Sequence, residues 1–374
     1  MANSSYLYRP TWAEVDLSAI QCNFRQIKKF FPAVRVIAVV KADAYGHGMR
    51  EVARLLDQEE VDAFGVSNIH EGILLREQKI KRPILIFQST LPPCERMIVK
   101  YGLTPTICQI DFAKTLNAYA RTKKRQIPIH IKVDTGMGRL GVWYGQAVDF
   151  IKEVSHLEYL HTQAIYTHFP SADCDRDFTQ NQIREFSQLR KRLEKEGLPI
   201  PYVHVANSMG IMGYQTQLDF VRPGIILYGL SPKPGARFKM KLKPALTVKS
   251  MVVFLKRIAK GRSVSYGRTF IADKDLLIAT IPVGYNDGYW RCLSNKAFVL
   301  VGGRRCPVVG RVTMDQLMID VTNVKNVRLG TEVVLLGRQG KQEISADELA
   351  ALANTINYEI VCCLGNRLPR VYKV

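Results

Sequence analysis

The strongest constraint on the fold is a rhythm in the first 230 residues. Short, β-branched apolar runs recur, and most are separated by a stretch with helical spacing. The run Val34–Val40 (VRVIAVV) is followed by others near Ala63–Val66, Ile84–Phe87, Thr104–Ile107, Ile127–Val133, Leu160–Thr167, Val203–Ala206 and Ile225–Tyr228. Unbroken apolar runs of this length suit strands covered on both faces, as in a parallel sheet. The helical stretches include 48–57 and 176–196. In the second of these Phe178, Ile183, Phe186, Leu189 and Leu193 fall on one face, and Gly197 stops it. Eight strands alternating with helices predict an α/β fold, an N-terminal (β/α)8 TIM-type barrel. A doubly wound sheet satisfies the same alternation.

Two segments flank that rhythm. Residues 11–17 (TWAEVDL) alternate like a strand. A helix follows, with Asp16 or Ser18 as its cap, Ile20, Phe24, Ile27 and Phe31 at helical spacing, and Pro32 as its stop. After Ser231-Pro-Lys-Pro-Gly235 the texture becomes that of a mostly β C-terminal domain. Strand-like runs appear at Leu246–Phe254, Leu276–Val283, Ala297–Val301, Pro307–Val309, Leu317–Val321 and Glu332–Leu336, and one helix is predicted over 345–356, with Ser345 and Glu348 forming a capping box. The expected division is an extension over 1–10, a barrel over 18–235 and a β-domain over 236–374, the strand at 11–17 joining the β-domain.

The totals exclude several classes. At 374 residues, 47% of them apolar, the chain has enough material for two cores. No apolar stretch reaches bilayer length, and the first residues lack a basic segment followed by an apolar one, so the cytoplasm is the expected location. Eight cysteines form no C-x-x-C pair and accompany no histidine cluster; no metal is expected, and the thiols should be reduced and mostly buried, Cys362 and Cys363 in the core. The net charge of +20 is spread along the chain with no aromatic-interleaved basic motif. That argues against nucleic acid as the main partner and leaves anionic small molecules.

The chemistry gathers at strand ends. Lys41 closes the first barrel strand and precedes Ala-Asp-Ala-Tyr45-Gly-His-Gly. A strand-end lysine often just reaches solvent, but a partly desolvated one has a lowered pKa and forms Schiff bases. Lys132-Val-Asp-Thr-Gly-Met-Gly-Arg139 again runs from an apolar strand into a glycine-rich turn. His168, His204 and Arg222 end further strands, with Ser208, Gly224 and Ile225 nearby in sequence. On a barrel these place Lys41, Lys132, Arg139, His168, His204 and Arg222 on one rim, a ring of cations and amides suited to a phosphate ester. In the β-domain, Ser265-Tyr266-Gly267-Arg268, Gly284-Tyr285-Asn286-Asp287 and Thr313-Met314-Asp315-Gln316 set polar groups beside glycines or turns.

The stretches VVKADAYGHG, KVDTGMGRLG, HVANS, VRPGI, SYGRTF, GYNDGY, GRVTMDQ and INYEIVCCLGNRLPRVY together resemble the alanine racemases, in the same order over nearly the whole chain. The resemblance implies a homodimer with shared active sites that uses pyridoxal 5′-phosphate (PLP) to interconvert L- and D-alanine for peptidoglycan. By similarity Lys41 binds PLP covalently and acts as a base on one face of the substrate. Tyr266 of the other subunit acts on the opposite face and is linked to His168, backed by Arg222 and His204. Arg222 faces the cofactor's pyridine nitrogen, and Arg139 its phenolic oxygen and the substrate carboxylate. Tyr45, Ser208, Tyr358, Gly224 and Ile225 hold its phosphate. Met314, Tyr285 and Asp315 shape the substrate entrance, and Lys132 matches a lysine carbamylated in many members. Thr313 stands where many members have cysteine. The competing readings are a broad-specificity amino-acid racemase or another barrel-type PLP enzyme, and a basic binding protein without catalysis.

Overall fold

A computed structural model describes residues 8–214, 219–236 and 238–374. The chain forms two compact units. One comprises Gln21–Ala44 and Met49–Lys243, the other the described residues up to Ile20 together with Tyr45–Gly48 and Pro244–Val374. The expected extension over 1–10 falls largely outside the described residues.

The strand β1 (Thr11–Asp16) belongs to the second unit. The first unit carries β2 (Arg35–Val39), β3 (Ala63–Val66), β4 (Ile84–Ile86), β5 (Thr104–Ile107), β6 (Ile127–Asp134), β7 (Leu160–Tyr166), β8 (Tyr202–His204) and β9 (Phe220–Val221). Neighbours pair in parallel in the order β9-β2-β3-β4-β5-β6-β7-β8. Between β8 and β9 the ring is drawn together by Asp219 N–H to the Val203 carbonyl (3.2 Å) and Arg222 N–H to the Ala206 carbonyl (3.0 Å). The sheet is thus a nearly closed eight-stranded parallel barrel. Ile37, Phe64, Leu85, Ile86, Ile129, Ile131 and Ile165 are fully or almost fully buried in it, which explains the continuous apolar runs.

The structure corrects several expectations. Ile225–Tyr228 is a 3-10 turn, and the eighth strand is the two-residue Phe220–Val221. All four residues of that turn are fully buried; burial demanded apolar side chains, and a short apolar run does not reveal whether it is strand or helix. In the helix Arg176–Lys195, Phe186, Leu189 and Leu193 are buried, but Phe178 is exposed, its ring lying against Gly136. Of the eight cysteines only Cys306 is buried; Cys174, Cys292 and Cys363 are exposed.

In the second unit β1 pairs antiparallel with Leu246–Met251 and parallel with Arg370–Lys373. The sheet continues through Glu332–Gln339 to Phe298–Val301 and Arg304–Pro307. A three-stranded sheet joins Phe254–Ile258, Leu276–Ile281 and Leu317–Asp320, and a small hairpin pairs Ser263–Val264 with Phe270–Ile271. Ser345 caps the helix Ala346–Ala353 by accepting the Glu348 N–H at 3.0 Å, while the Glu348 carboxylate pairs with Arg305 instead of completing a capping box. Among the described residues no helix is long and apolar enough to cross a membrane.

Candidate active site

Lys41 sits half-buried just past the C-terminal end of β2, where barrel enzymes place their chemistry. The four residues after it, Ala42, Asp43, Ala44 and Tyr45, have φ between 51° and 54°. The left-handed region disfavours each such L-residue by about 1–2 kcal/mol. Several bonds hold the turn. Ala44 N–H donates to the Val40 carbonyl at 2.9 Å. Glu71 accepts the Ala42 N–H at 2.8 Å and the Ser67 N–H at 2.6 Å. Asp43 accepts the Met49 N–H at 2.7 Å where the next helix starts. Gly46 follows with φ 81°, and a Cβ there would lie 2.1 Å from the Val361 carbonyl oxygen.

Inside the barrel, the side chains centre on Arg222, which is 3% exposed. Its guanidinium donates to the carbonyls of Thr167 (2.8 Å) and Val205 (3.0 Å) and to His204 Nδ1 (2.8 Å), and lies 3.4 Å from His168 Nδ1. Burial lowers its pKa only to about 10, so it stays a cation at neutral pH. The bases around it are kept neutral. Burial and then the Arg222 charge hold His168 and His204 well below the usual imidazole value. The same two causes bring Lys132 down to about 7. Tyr166 forms the floor of this cluster. Its ring stacks on His204 at 4.6 Å, with Arg222 at 5.3 Å and Lys132 Nζ at 5.4 Å from its centroid. Lys132, His204 and Arg222 therefore occupy the barrel interior, deeper than the rim expected from their strand-end positions.

Around this cluster lie two loops. Asp134 accepts the N–H groups of Gly136 (2.8 Å), Met137 (2.8 Å) and Gly138 (2.9 Å), which makes it the organiser of the turn that carries the exposed Arg139. After β8, Asn207 accepts the Gly210 N–H and begins a short helix at Ser208. The buried Ser208 Oγ accepts the Gly224 N–H at 2.9 Å, which leaves its own proton to donate. The first N–H groups of the 3-10 turn, on Ile225 and Ile226, are not used within it.

The second unit holds the remaining residues. Tyr45 is buried with its ring 6.1 Å from that of Tyr358, and burial raises its hydroxyl pKa well above the ordinary tyrosine value. Tyr266 stands at the tip of the small hairpin, 72% exposed, between Ser265 and Gly267, both with positive φ; Ser265 Oγ donates to the Arg311 carbonyl at 2.6 Å. Tyr285 N–H donates to the Thr313 carbonyl and Asn286 N–H to that of Met314, so the stretches carrying Tyr285 and Met314 lie side by side, both side chains exposed. Asp315 pairs with Arg367 at 2.8 Å, and Thr313 Oγ1 donates to the Gln316 carbonyl at 2.8 Å.

Residues 15–232 match the family model for the alanine racemase N-terminal domain, and residues 245–372 match that for its C-terminal domain. The chain belongs to the alanine racemase family. An alanine racemase of Halothermothrix orenii is 46% identical over 368 residues, covering 98% of this chain and 97% of that one. One from Carboxydothermus hydrogenoformans is 43% identical over 97% of this chain and the whole of its own. Among solved structures, an alanine racemase of Clostridium difficile 630 superposes with a TM-score of 0.92 at 36% identity, over 97% of this chain and 96% of that one. The Bartonella henselae enzyme, described with covalently bound pyridoxal phosphate, has a TM-score of 0.88 at 29% identity over 97% and 99%. In this member the sequence reading missed Glu71, which clamps the Lys41 turn, and His130 and Gln163 inside the barrel. His130 was within reach, because period-two alternation puts 130 on the same face of β6 as Lys132. Glu71 carried no signal, since its target is backbone.

Proposed function

We propose that this chain interconverts L- and D-alanine with PLP bound through Lys41. The observation that carries the reading is the buried Arg222 inside the barrel that bears Lys41, its guanidinium donating to His204 Nδ1 and to the carbonyls of Thr167 and Val205. The donor set fits the cofactor: an amine for its aldehyde, and for its phosphate the Ser208 hydroxyl, whose proton is left to donate, and the backbone of Gly224 and Ile225, where the first N–H groups of the 3-10 turn are unused within it, with the hydroxyls of Tyr45 and Tyr358. The Bartonella relative with covalent pyridoxal phosphate supports this assignment. When bound, PLP withdraws the electron pair left on Cα as the α-proton departs.

The chain's own residues do the rest. Lys41 would accept the α-proton on one face, and Tyr266 of a second subunit would return one on the other. Inversion needs two bases because a single base would give back the face it took from. The 72% exposure of Tyr266 and the exposed Tyr285 and Met314 suit residues that serve a neighbouring subunit in a homodimer. Met314, Tyr285 and Asp315 shape the entrance and favour a small side chain, and Arg139 meets the substrate carboxylate. His168 orients Tyr266. Arg222 would present a fixed positive charge to the cofactor's ring nitrogen, which would discourage protonation there and limit side reactions. Lys132, with its pKa near 7, has a neutral amine able to attack CO2 and lose a proton, giving a carbamate anion beside Arg139. The product D-alanine would serve peptidoglycan synthesis.

The test is proton NMR of the PLP-supplied protein in deuterated water with L-alanine and then D-alanine, followed by chiral analysis. Loss of the α-proton signal with interconversion from both enantiomers is expected. Retained α-protons, with PLP shown on Lys41, refute the reading; faster exchange of serine or lysine would instead mark a broad-specificity racemase.

A further inference from the structure

We propose that His130 and Gln163 are positioning residues that fix the proton order of a hydrogen-bond chain running from Arg222 down the barrel interior, and that this order holds Arg222 in its working orientation. The proposal rests on the role given to Arg222 above.

The order follows from donor counting. A guanidinium only donates. Arg222 Nη1 lies 2.8 Å from His204 Nδ1, so that nitrogen must present a lone pair and the neutral ring carries its proton on Nε2. His204 Nε2 lies 3.0 Å from His130 Nδ1, which must therefore accept. His130 in turn carries its proton on Nε2, 3.4 Å from the Gln163 amide oxygen, which accepts. Every link points away from Arg222. Burial keeps His130 neutral by pushing its pKa down to about 4, and an acceptor behind an imidazole N–H makes its other nitrogen a stronger acceptor.

Two independent features indicate a built arrangement. His204 is clamped between Tyr166, stacked at 7°, and Phe220, edge-on at 6.0 Å, so it cannot swing to another partner. The β6–β7 ladder also shifts register here: Ile129 faces Thr162 and His130 faces Ala164, which leaves Gln163 without a counterpart. Such a bulge re-aims a side chain, and this one brings Gln163 to His130. Beyond Gln163 the chain meets a cavity of about 290 Å³ at the N-terminal end of the barrel, lined also by Arg35, Asp62 and Arg82. The charged and titratable groups facing His130 are thus His204 and Arg222 above it and Arg35, Asp62 and Arg82 around the cavity.

The test is Gln163→Glu with Gln163→Met as its control. A carboxylate at 163, solvated in the cavity beside two arginines, would stabilise a doubly protonated His130 and raise its pKa by about 1–3 units, to about 5–7. Protonated His130 donates from Nδ1 as well, which drives the His204 proton round to Nδ1, against Arg222. The expected result is a new acidic limb in kcat/KM for Gln163→Glu, falling about tenfold per pH unit below that pKa, absent from the parent and from Gln163→Met. Superimposable profiles for all three would overturn the proposal. A second measurement needs neither turnover nor a variant with altered activity: 15N NMR of the selectively histidine-labelled parent protein, with or without PLP. Protons on Nε2 of both His130 and His204 are expected. A proton on Nδ1 of either ring would overturn the proton order, whatever reaction the protein performs.

Discussion

Replacing Ala42 with glycine should stabilise the protein, the opposite of what glycine does in an ordinary helix. Ala42 has φ 53° and ψ 53° and is exposed, so its methyl group packs little and the effect is conformational. Leaving the left-handed region to an L-residue costs about 1–2 kcal/mol. Glycine removes that cost but adds about 0.5–1 kcal/mol of freedom to the unfolded chain. The net gain is about 0–1.5 kcal/mol, centred on ~0.75. Ala351→Gly is the control, an exposed position in the right-handed helix Ala346–Ala353, and it should lose about 1 kcal/mol. Urea titration of both variants, with fluorescence and circular dichroism compared to expose separate transitions of the two units, reads the sign directly. The same substitution loosens the turn behind Lys41, so turnover should fall several-fold while stability rises. If both glycines destabilise alike, the turn stores no strain and the reasoning fails.

Lys41→Ala should abolish both turnover and the visible absorbance of bound PLP; a pure variant that still racemises alanine would remove Lys41 from the mechanism. Tyr266→Phe should slow α-proton removal from one enantiomer at least tenfold more than from the other, measured as solvent-deuterium incorporation; equal mild losses would exclude the two-base scheme. Lys132 has a folded-state pKa of about 7 against about 10.4 unfolded, so the unfolded chain binds more protons between those values and Lys132 destabilises the fold most below pH 7. In CO2-free buffer Lys132→Met should therefore raise stability by a few kcal/mol at pH 6 and much less at pH 10. With 13C-labelled bicarbonate the parent, but not this variant, should show a carbamate carbon in its NMR spectrum.

The barrel was legible because each strand is buried on both faces, and burial writes itself as an unbroken apolar run. Where that link loosens, reading by pattern fails. Ile225–Tyr228 is as apolar as any barrel strand yet winds into a 3-10 turn, while the strand beside it has two residues, too few to show a period. Lys132, His168, His204 and Arg222 could be picked out because charged or polar groups interrupt apolar runs, and the structure brings them to one cluster. Their depth could not be read, since a strand end says nothing of how far a side chain turns inward. Asp134, between the singled-out Lys132 and Arg139, proved to be a brace for backbone amides. Glu71 and Gln163 left no mark: one binds main chain and the other depends on a bulge, and neither leaves a residue pattern.

The pairing of β1 with Arg370–Lys373 has a bearing on how the chain is made. These neighbours lie far apart in sequence with the whole barrel between them, so the sheet that holds them cannot close until the barrel has been synthesised. At about 5–20 residues per second, β1 waits on the order of tens of seconds for its partner. The residues of the barrel emerge complete in that interval and can bury their own core first. During it β1, with Trp12, Ala13 and Val15 destined for burial, presents an unpaired apolar edge to its surroundings. The hazard in producing this protein therefore lies in β1, and any delay in synthesis before Arg370–Lys373 emerges should lower the yield.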